Sequence, residues 1–309
     1  MSRDATSRNR QPGRERVSRF SSAAARGRFV TAYDTAMRAW PQPRQEYDVQ
    51  TGFGSVHVHR YGPASGVPIV LLHGAGGNSS NWYAQVGALG GHHPVYAVDT
   101  IDEPGRSIQR QPVTGSADNA AWLDETLAGL GLAGVHLVGH SYGGWLALNQ
   151  AVYRPARLRS VTLLDPGGLG KVPVTFFLHL LAGALAMAAP GRTRPWLARK
   201  IAFQALFEAP DQIVPIRIAA TTFRGARPVA ARRFDDDELR AVRVPTQLLL
   251  AGRSSLLHPQ RALARARNLI PQVRAEIVAG ASHGLPLEQP ALVNRRILDF
   301  VAGSAADDA

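Results

Sequence analysis

The sequence predicts an α/β fold in which a mostly parallel sheet is covered by helices on both faces. Short apolar runs typical of buried strands alternate along the chain with longer segments of helical period. Strands that alternate with helices in this way are typical of parallel sheets. The alternation breaks between residues 167 and 242, and this predicts a helical cap inserted between two strands of the sheet.

The predicted elements follow one another in a regular order. A first helix at 27–40 ends at two prolines. Segments at 47–50 and 54–61 follow, and the alternation in the second predicts an early antiparallel strand. Apolar runs predict buried strands at 68–72, 95–98, 135–138, 160–164, 246–250 and 275–278. Helical patterns stand at 80–89, 117–130, 144–153, 260–270 and 292–301.

One of the early strands carries two histidines in alternation with valines. Val56 and Val58 alternate with His57 and His59, which predicts one buried face and one face in solvent. Alternating histidines could also be metal ligands. Since no carboxylate or third histidine stands nearby in the sequence, solvent-facing residues are the favoured interpretation, and no metal is expected.

The domain layout places a basic tail ahead of a core that the cap interrupts. The first 28 residues hold eight arginines and two acidic residues, with too few apolar side chains to fold alone. An arm that binds nucleic acid or anionic lipid is one interpretation, but no supporting motif is present, and a solvated extension is favoured. The predicted parts are a disordered tail at 1–26, core at 27–168, cap at 169–241, core at 242–303 and a disordered tail at 304–309.

Composition narrows the class of protein further. The chain has 309 residues, a formal net charge of +12 and 45% apolar residues, enough for a sizeable core. It has no cysteine, which excludes disulfides and a thiol nucleophile and fits a cytoplasmic protein. The longest apolar stretch, 172–190, contains Pro173 and His179, and we expect a buried or cleft-lining helix there rather than a membrane span.

The most informative motif is Gly-His-Ser-Tyr-Gly at 139–143, between a predicted strand and a predicted helix. That context is the one a nucleophile elbow requires. Side chains larger than hydrogen at Gly139 and Gly143 would clash with the neighbouring strand and helix in so tight a turn. The motif therefore predicts Ser141 as a nucleophile.

Two further features supply what serine chemistry needs. The loop at 73–77 is rich in glycine and follows a buried strand, so that the N–H groups of Ala75 and Tyr142 could form an oxyanion hole. His283 follows the last predicted strand, where a general base in the order serine, acid, histidine is expected. His73 and His140 are expected to support their loops.

Taken together, these motifs resemble the α/β-hydrolase superfamily over about residues 45–303. The first helix and the segment Leu164-Asp165-Pro166 are similar to bacterial carboxylesterase-like members. The motifs that carry the resemblance are at 73–76, 99–107, 139–144 and 282–284. The resemblance implies the α/β-hydrolase fold and a serine hydrolase that needs no cofactor or metal.

The acid of the triad departs from the pattern of most of that superfamily. The resemblance places the acid after the strand at 246–250, where this chain has Ser255, which cannot hold a charge. Some members carry the acid after the preceding strand, a position that matches Asp165. We therefore expect Asp165 to orient His283, with a carboxylate that caps the turn at 166–168 as the alternative. Asp99 is expected in a loop and the acidic run 235–238 at a cap edge or helix start.

The predicted activity is hydrolysis of carboxylic esters through an acyl-enzyme. A thioesterase, a C–C hydrolase and an acyltransferase use the same triad and stay open. A non-catalytic binding protein is the alternative from another class, motivated by Ser255. Apolar residues at 176–187 favour small to medium apolar acyl groups, whereas cap arginines could select an anionic group. We expect no nucleic-acid partner and no stable membrane insertion, and the sequence does not indicate the oligomeric state.

Overall fold

A nine-stranded sheet forms the centre of the computed structural model, which describes residues 17–173, 176, 209–224 and 231–306. The strands in the described parts are β1 (Arg19–Phe20), β2 (Gln45–Thr51), β3 (Gly54–Tyr61), β4 (Ile69–Leu72), β5 (Val95–Val98), β6 (Ile108–Gln109), β7 (Val135–His140), β8 (Leu158–Leu164), β9 (Phe223–Arg224), β10 (Thr246–Arg253) and β11 (Val273–Ser282). Eight of them lie in the order β11-β10-β8-β7-β4-β5-β3-β2, and β6 pairs with β3.

The sheet is parallel from β11 to β5 and antiparallel where β2, β3 and β6 join it. The helices in the described parts are α1 (Ala23–Ala36), α2 (Tyr83–Gly90), α3 (Ser116–Gly129), α4 (Tyr142–Tyr153), α5 (Pro210–Thr222), α6 (Asp236–Ala241), α7 (Pro259–Leu269), α8 (Leu285–Glu288) and α9 (Pro290–Ala306). The predicted α/β class with a mostly parallel sheet is confirmed.

Helices cover both faces of the sheet. Because alternate side chains of a strand point to opposite faces, each strand buries apolar residues on both sides. In β4, Val70 and Leu72 pack in one core cluster and Ile69 and Leu71 in the other. The first cluster includes residues of α3, α4, α6 and α7, and the second includes residues of α1, α2 and α9. Such two-sided burial explains why these strands read as continuous apolar runs.

The predicted end of the basic tail at residue 26 is wrong. Arg19 and Phe20 form β1, which pairs with β9, and α1 begins at Ala23 instead of 27. Phe20 packs against Phe29 and Phe223, with ring centroids 4.7 and 5.1 Å apart. The contact of Phe20 with the distant Phe223 gives this polar segment an apolar partner, which its local composition does not reveal. Residues 1–16 lie outside the described residues.

At the other end, α9 continues to residue 306, so the predicted C-terminal tail from 304 starts too early. Much of the predicted cap, including nearly all of the apolar stretch 172–190, lies outside the described residues. The parts of it that are described contain α5, the short strand β9 and α6. Among the described residues, no helix combines the length and the apolar character that crossing a membrane requires. The domain limits inside the chain stay predictions.

The predicted solvent face of β3 is also wrong. His57 is 4% exposed and His59 is fully buried. The rings of Tyr33 and Trp40 lie against His59, with centroids 5.8 Å from it in each case. Burial lowers the pKa of His59 to about 4. The first helix therefore covers a strand face that the alternation pattern had assigned to water.

Candidate active site

Ser141 occupies the sharp turn between β7 and α4. Its φ angle is 54°, a backbone conformation that residues other than glycine seldom adopt. Backbone hydrogen bonds hold it there, because Ser141 N–H donates to Leu164 O and Gly167 N–H donates to Ser141 O, each at 3.0 Å. The turn places the serine directly ahead of the helix N-terminus.

Glycine is required on both sides of this turn. A Cβ atom at Gly139 would lie 2.1 Å from Gly143 O, and one at Gly143 would lie 2.0 Å from Leu72 O. The first contact is with the start of α4 and the second with the end of β4. Both clashes are those that the sequence motif predicts.

His283 follows the last residue of β11 and is buried. Its Nε2 atom lies 2.9 Å from Ser141 Oγ. His140 fixes the backbone here, since its Nε2–H donates to His283 O at 2.7 Å. The ring of Phe176 stands perpendicular to the imidazole of His283, with centroids 6.0 Å apart.

Asp165 lies at the carboxyl end of β8, with a φ angle of 42° and no exposed surface. His283 Nδ1–H donates to Asp165 Oδ2 at 2.6 Å. The backbone N–H of Ala251 donates to Oδ1 at 3.1 Å, and the hydroxyl of Ser254 donates to Oδ2 at 2.6 Å. Three donors thus compensate the burial of this carboxylate.

Ser255 stands at the position where most of the superfamily has its acid, and its neighbour Ser254 is the residue that contacts Asp165. Ser255 Oγ is buried and has no hydrogen-bond partner among the described residues. Ser254 Oγ instead donates to Asp165 and accepts from Leu257 N–H at 3.2 Å. Sequence reasoning missed Ser254, because nothing in a pair of adjacent serines indicates which one turns toward β8.

The glycine-rich loop after β4 packs against the serine. A Cβ atom at Gly74 would lie 3.3 Å from Ser141 Cβ. His73 clamps this loop: its Nε2 accepts from Thr100 N–H at 3.1 Å, so its protonated Nδ1 donates to Gly74 O at 2.9 Å. Burial lowers the pKa of His73, which keeps the ring neutral.

The two expected oxyanion donors come from different parts of the chain, the start of α4 and the loop after β4. Tyr142 is the first residue of α4, where a backbone N–H has no acceptor within the helix. Ala75 is exposed at the tip of the loop. The helix N-terminus adds a favourable potential for a negative charge at this point.

Two buried acids that sequence reasoning missed contact the loop after β4 and the side chain of Tyr142. Glu103 Oε2 accepts from Gly76 N–H at 2.8 Å, and Asp102 Oδ2 accepts from the Tyr142 hydroxyl at 3.0 Å. Burial raises the pKa of Asp102 to about 6. Burial and the neighbouring charge of Asp102 raise the pKa of Glu103 to about 8. The only signal in the sequence is that both belong to the segment 99–107 of the family resemblance.

The other carboxylates weighed for the acid have different partners. Asp99 accepts hydrogen bonds from the backbone N–H groups of Ser79 and Arg106 at 2.8 and 2.7 Å, and so fixes loops. Asp235 caps α6 and forms a capping box with Glu238. The predicted loop residue and helix start are where the sequence indicates them.

A family model and two sequence relatives point to the same family of proteins. A model of the alpha/beta hydrolase family matches residues 69–296. Carboxylesterase YbfK of Bacillus subtilis is 30% identical over 298 residues, which cover 92% of this chain and 97% of the relative. The uncharacterized carboxylesterase nap of the same organism is 30% identical over 279 residues, covering 88% and 92% of the two chains.

A solved structure agrees with this chain over almost its whole length. The crystal structure of naproxen esterase (carboxylesterase NP) from Bacillus subtilis is similar with a TM-score of 0.80 and 29% identity. The match covers 91% of this chain and 99% of that one. The resemblance read from the motifs therefore extends to the full fold.

Proposed function

Because this chain belongs to the α/β-hydrolase family and is a hydrolase that acts on ester bonds, we propose that it cleaves carboxylic esters through an acyl-enzyme formed on Ser141. The observation that carries the proposal is that Ser141 contacts His283 and His283 contacts Asp165. Ser141 Oγ lies 2.9 Å from His283 Nε2, and His283 Nδ1 lies 2.6 Å from Asp165 Oδ2. This is the geometry of a nucleophile, a base and an acid that orients the base.

In the first half of the proposed reaction, His283 Nε2 takes the proton of Ser141 as its oxygen attacks the ester carbonyl. The carbonyl oxygen becomes negatively charged and receives hydrogen bonds from the N–H groups of Ala75 and Tyr142. Collapse of this intermediate breaks the C–O bond to the alcohol. The alcohol oxygen leaves with the proton that His283 has held.

In the second half, water attacks the acyl group on Ser141 and gives a proton to His283. The second tetrahedral intermediate uses the same two donors. When it collapses, the acid is released and the proton returns to Ser141. Asp165 accepts the Nδ1–H of His283 and so holds the ring with Nε2 free to accept the proton.

The proposed acyl group is small to medium and apolar. The support is Phe176, whose ring stands against His283 at the start of the apolar stretch 176–187. Five cap arginines were weighed in the sequence as anion-binding residues. Arg192, Arg194 and Arg199 lie outside the described residues, and Arg217 and Arg224 are exposed. The preference would be contradicted by equal turnover of charged and apolar acyl esters.

One alternative from the sequence now has less support, and the others stay open. A non-catalytic scaffold was motivated by Ser255, yet Asp165 supplies a carboxylate within hydrogen-bond reach of His283. Thioester or C–C hydrolysis and acyl transfer would use the same residues, and no contact in the described part of the chain favours them over ester hydrolysis. A cytoplasmic location stays a prediction from composition.

The test of the proposal is to trap the acyl-enzyme. The wild type and Ser141→Ala are mixed with p-nitrophenyl esters of increasing acyl length, and intact-protein mass is measured within the burst phase. We expect a burst of p-nitrophenol, an added mass equal to one acyl group in the wild type, and neither in Ser141→Ala. Turnover that persists in Ser141→Ala, or a wild type inert toward every ester, would overturn the proposal.

A further inference from the structure

A second cluster of reactive side chains lies on the β2–β3 hairpin, three strands along the sheet from β7. The strand register places Glu46 opposite His59 and Asp48 opposite His57. The two imidazole rings lie nearly perpendicular, with centroids 4.7 Å apart. Residues that are separate in the sequence thus form one group of carboxylates and imidazoles.

Hydrogen bonds to the outer nitrogens set the tautomer of both histidines. His57 Nδ1 lies 2.8 Å from Asp48 Oδ1, and a carboxylate can only accept, so Nδ1 carries the proton. His59 Nε2 lies 2.7 Å from the hydroxyl of Tyr33, which itself donates to Asp99 at 3.2 Å. His59 Nε2 is therefore the donor to Tyr33. In the neutral rings, these bonds leave lone pairs on His57 Nε2 and His59 Nδ1.

The two lone pairs face a third acceptor instead of a donor. Neither His57 Nε2 nor His59 Nδ1 has a hydrogen-bond partner among the described residues. His57 Nε2 lies 3.7 Å from Glu46 Oε2, and His59 Nδ1 lies 3.5 Å from Glu46 Oε1. A buried ring nitrogen without a hydrogen-bond partner is unfavourable, and a cation held between the two rings and the Glu46 carboxylate, whose side chain is 37% exposed, would satisfy both nitrogens.

We propose that Glu46, His57 and His59 bind one divalent transition metal ion of the zinc type. Imidazole nitrogen and carboxylate oxygen are ligands that such ions prefer. Bonds of about 2.0–2.2 Å in tetrahedral geometry put ligand atoms about 3.4 Å apart. With one ligand atom from each residue, the three atoms lie within 4.8 Å of one another, so the side chains must close in slightly on a bound ion. Three protein ligands leave the fourth position to water.

The outer contacts agree with this assignment. Histidines that bind metals almost always donate their second N–H to a carboxylate, a backbone carbonyl or water. Asp48 accepts in this way from His57, and the hydroxyl of Tyr33 accepts from His59. Through Tyr33 the site joins the hairpin to α1, so the ion stabilises the packing of the first helix on the sheet. Binding of this ion does not depend on the proposed ester hydrolysis.

One neighbouring charge competes with the ion. Arg44 Nε lies 3.5 Å from Glu46 Oε1 and weakens the attraction of that oxygen for a cation. Glu46 Oε2 faces His57 on the other side of the carboxylate. The variant Arg44→Gln removes the competing charge and leaves the three ligands in place. Arg44→Gln should therefore bind the ion more tightly than the wild type.

The experiment uses the full chain without a polyhistidine tag, stripped by chelator and then titrated with Zn²⁺ or Co²⁺. We expect one ion per chain, a higher Tm with Zn²⁺, and the visible absorption of four-coordinate Co²⁺. Glu46→Gln and His57→Gln should each weaken binding by about tenfold or more. Glu46 is partly exposed, so its variant is expected to fold, and circular dichroism checks both.

Two controls match these variants. His92→Gln removes an exposed histidine outside the cluster. Glu276 is a carboxylate of similar exposure, since 40% of its side chain is exposed against 37% for Glu46, and it pairs with Arg296 away from the cluster. Glu276→Gln removes it. Both controls should bind as the wild type does. The proposal is overturned if the wild type shows no saturable binding at millimolar Zn²⁺, or if neither Glu46→Gln nor His57→Gln weakens it.

Discussion

The hydroxyl of Ser254 donates to Asp165 Oδ2, the same oxygen that receives the Nδ1–H of His283. The carboxylate comes from the end of β8, while the two donors that hold it, Ser254 and the N–H of Ala251, come from the end of β10. The parallel register of these strands, which pairs Leu249 with Leu164, brings the two ends together. The strand that carries the acid in most of the superfamily thus supplies donors here.

Ser254→Ala should lower kcat by about tenfold, because one hydrogen bond to a charged group contributes about 1.5–3 kcal/mol and part of that loss is recovered by water. The measurement is kcat and KM for one p-nitrophenyl ester. Ser255→Ala is the matched control, since the hydroxyl of Ser255 has no partner among the described residues. A loss in Ser255→Ala equal to that in Ser254→Ala would contradict the account.

Asp165→Asn should lower kcat by about 10⁴-fold, because an amide cannot stabilise the protonated imidazole and favours the wrong tautomer of His283. The fall is measured against an unchanged circular dichroism spectrum. Adding Ser255→Asp to Asp165→Asn places a carboxylate at the position most of the superfamily uses, and should restore part of the activity. Full activity in Asp165→Asn alone would show that another group orients His283.

Local patterns predicted the sheet, the helices and the glycines of the turn. Strands buried on two faces appear as continuous apolar runs, and a tight turn requires glycine at fixed positions. The exposure of β3 was predicted wrongly because what covers His59 is Tyr33 and Trp40, whose approach depends on how α1 packs. Phe20 is a similar case, since its partner Phe223 is about two hundred positions away.

The candidate site divides in the same way. Ser141 and His283 stand in motifs whose spacing reflects the chemistry, and Asp165 follows from a resemblance that offers two places for the acid. Ser254 and Glu103 act through contacts between separate strands and loops, and such contacts leave no periodic pattern in the chain.

Gly143→Ala should prevent folding or destabilise the protein by about 3 kcal/mol or more, since the new Cβ would lie 2.0 Å from Leu72 O and neither backbone can move far. Urea unfolding measures the difference. Gly27→Ala is the control: nothing lies within 4 Å of its Cβ and it sits inside α1, so it should stabilise by about 0.5–1 kcal/mol. Equal stabilities for the two variants would refute the steric argument.

Glu103→Gln should make the protein more stable at alkaline pH. Burial and the charge of Asp102 raise the pKa of Glu103 from 4.5 to about 8. The folded state therefore keeps its proton while the unfolded state loses it above pH 4.5, so the stability present at low pH is lost as the pH rises toward 8.

Glutamine does not ionise, and its side-chain oxygen can still accept from Gly76 N–H. The variant and the wild type should have similar Tm values at pH 4.5, and the variant should be more stable by over about 1 kcal/mol at pH 9, since one pKa unit is worth about 1.4 kcal/mol. Thermal unfolding at pH 4.5, 7 and 9 measures this. Glu276→Gln, at a partly exposed carboxylate, is the control, and its Tm should change with pH as that of the wild type does. A variant whose advantage does not grow with pH would contradict a neutral Glu103 behind the loop.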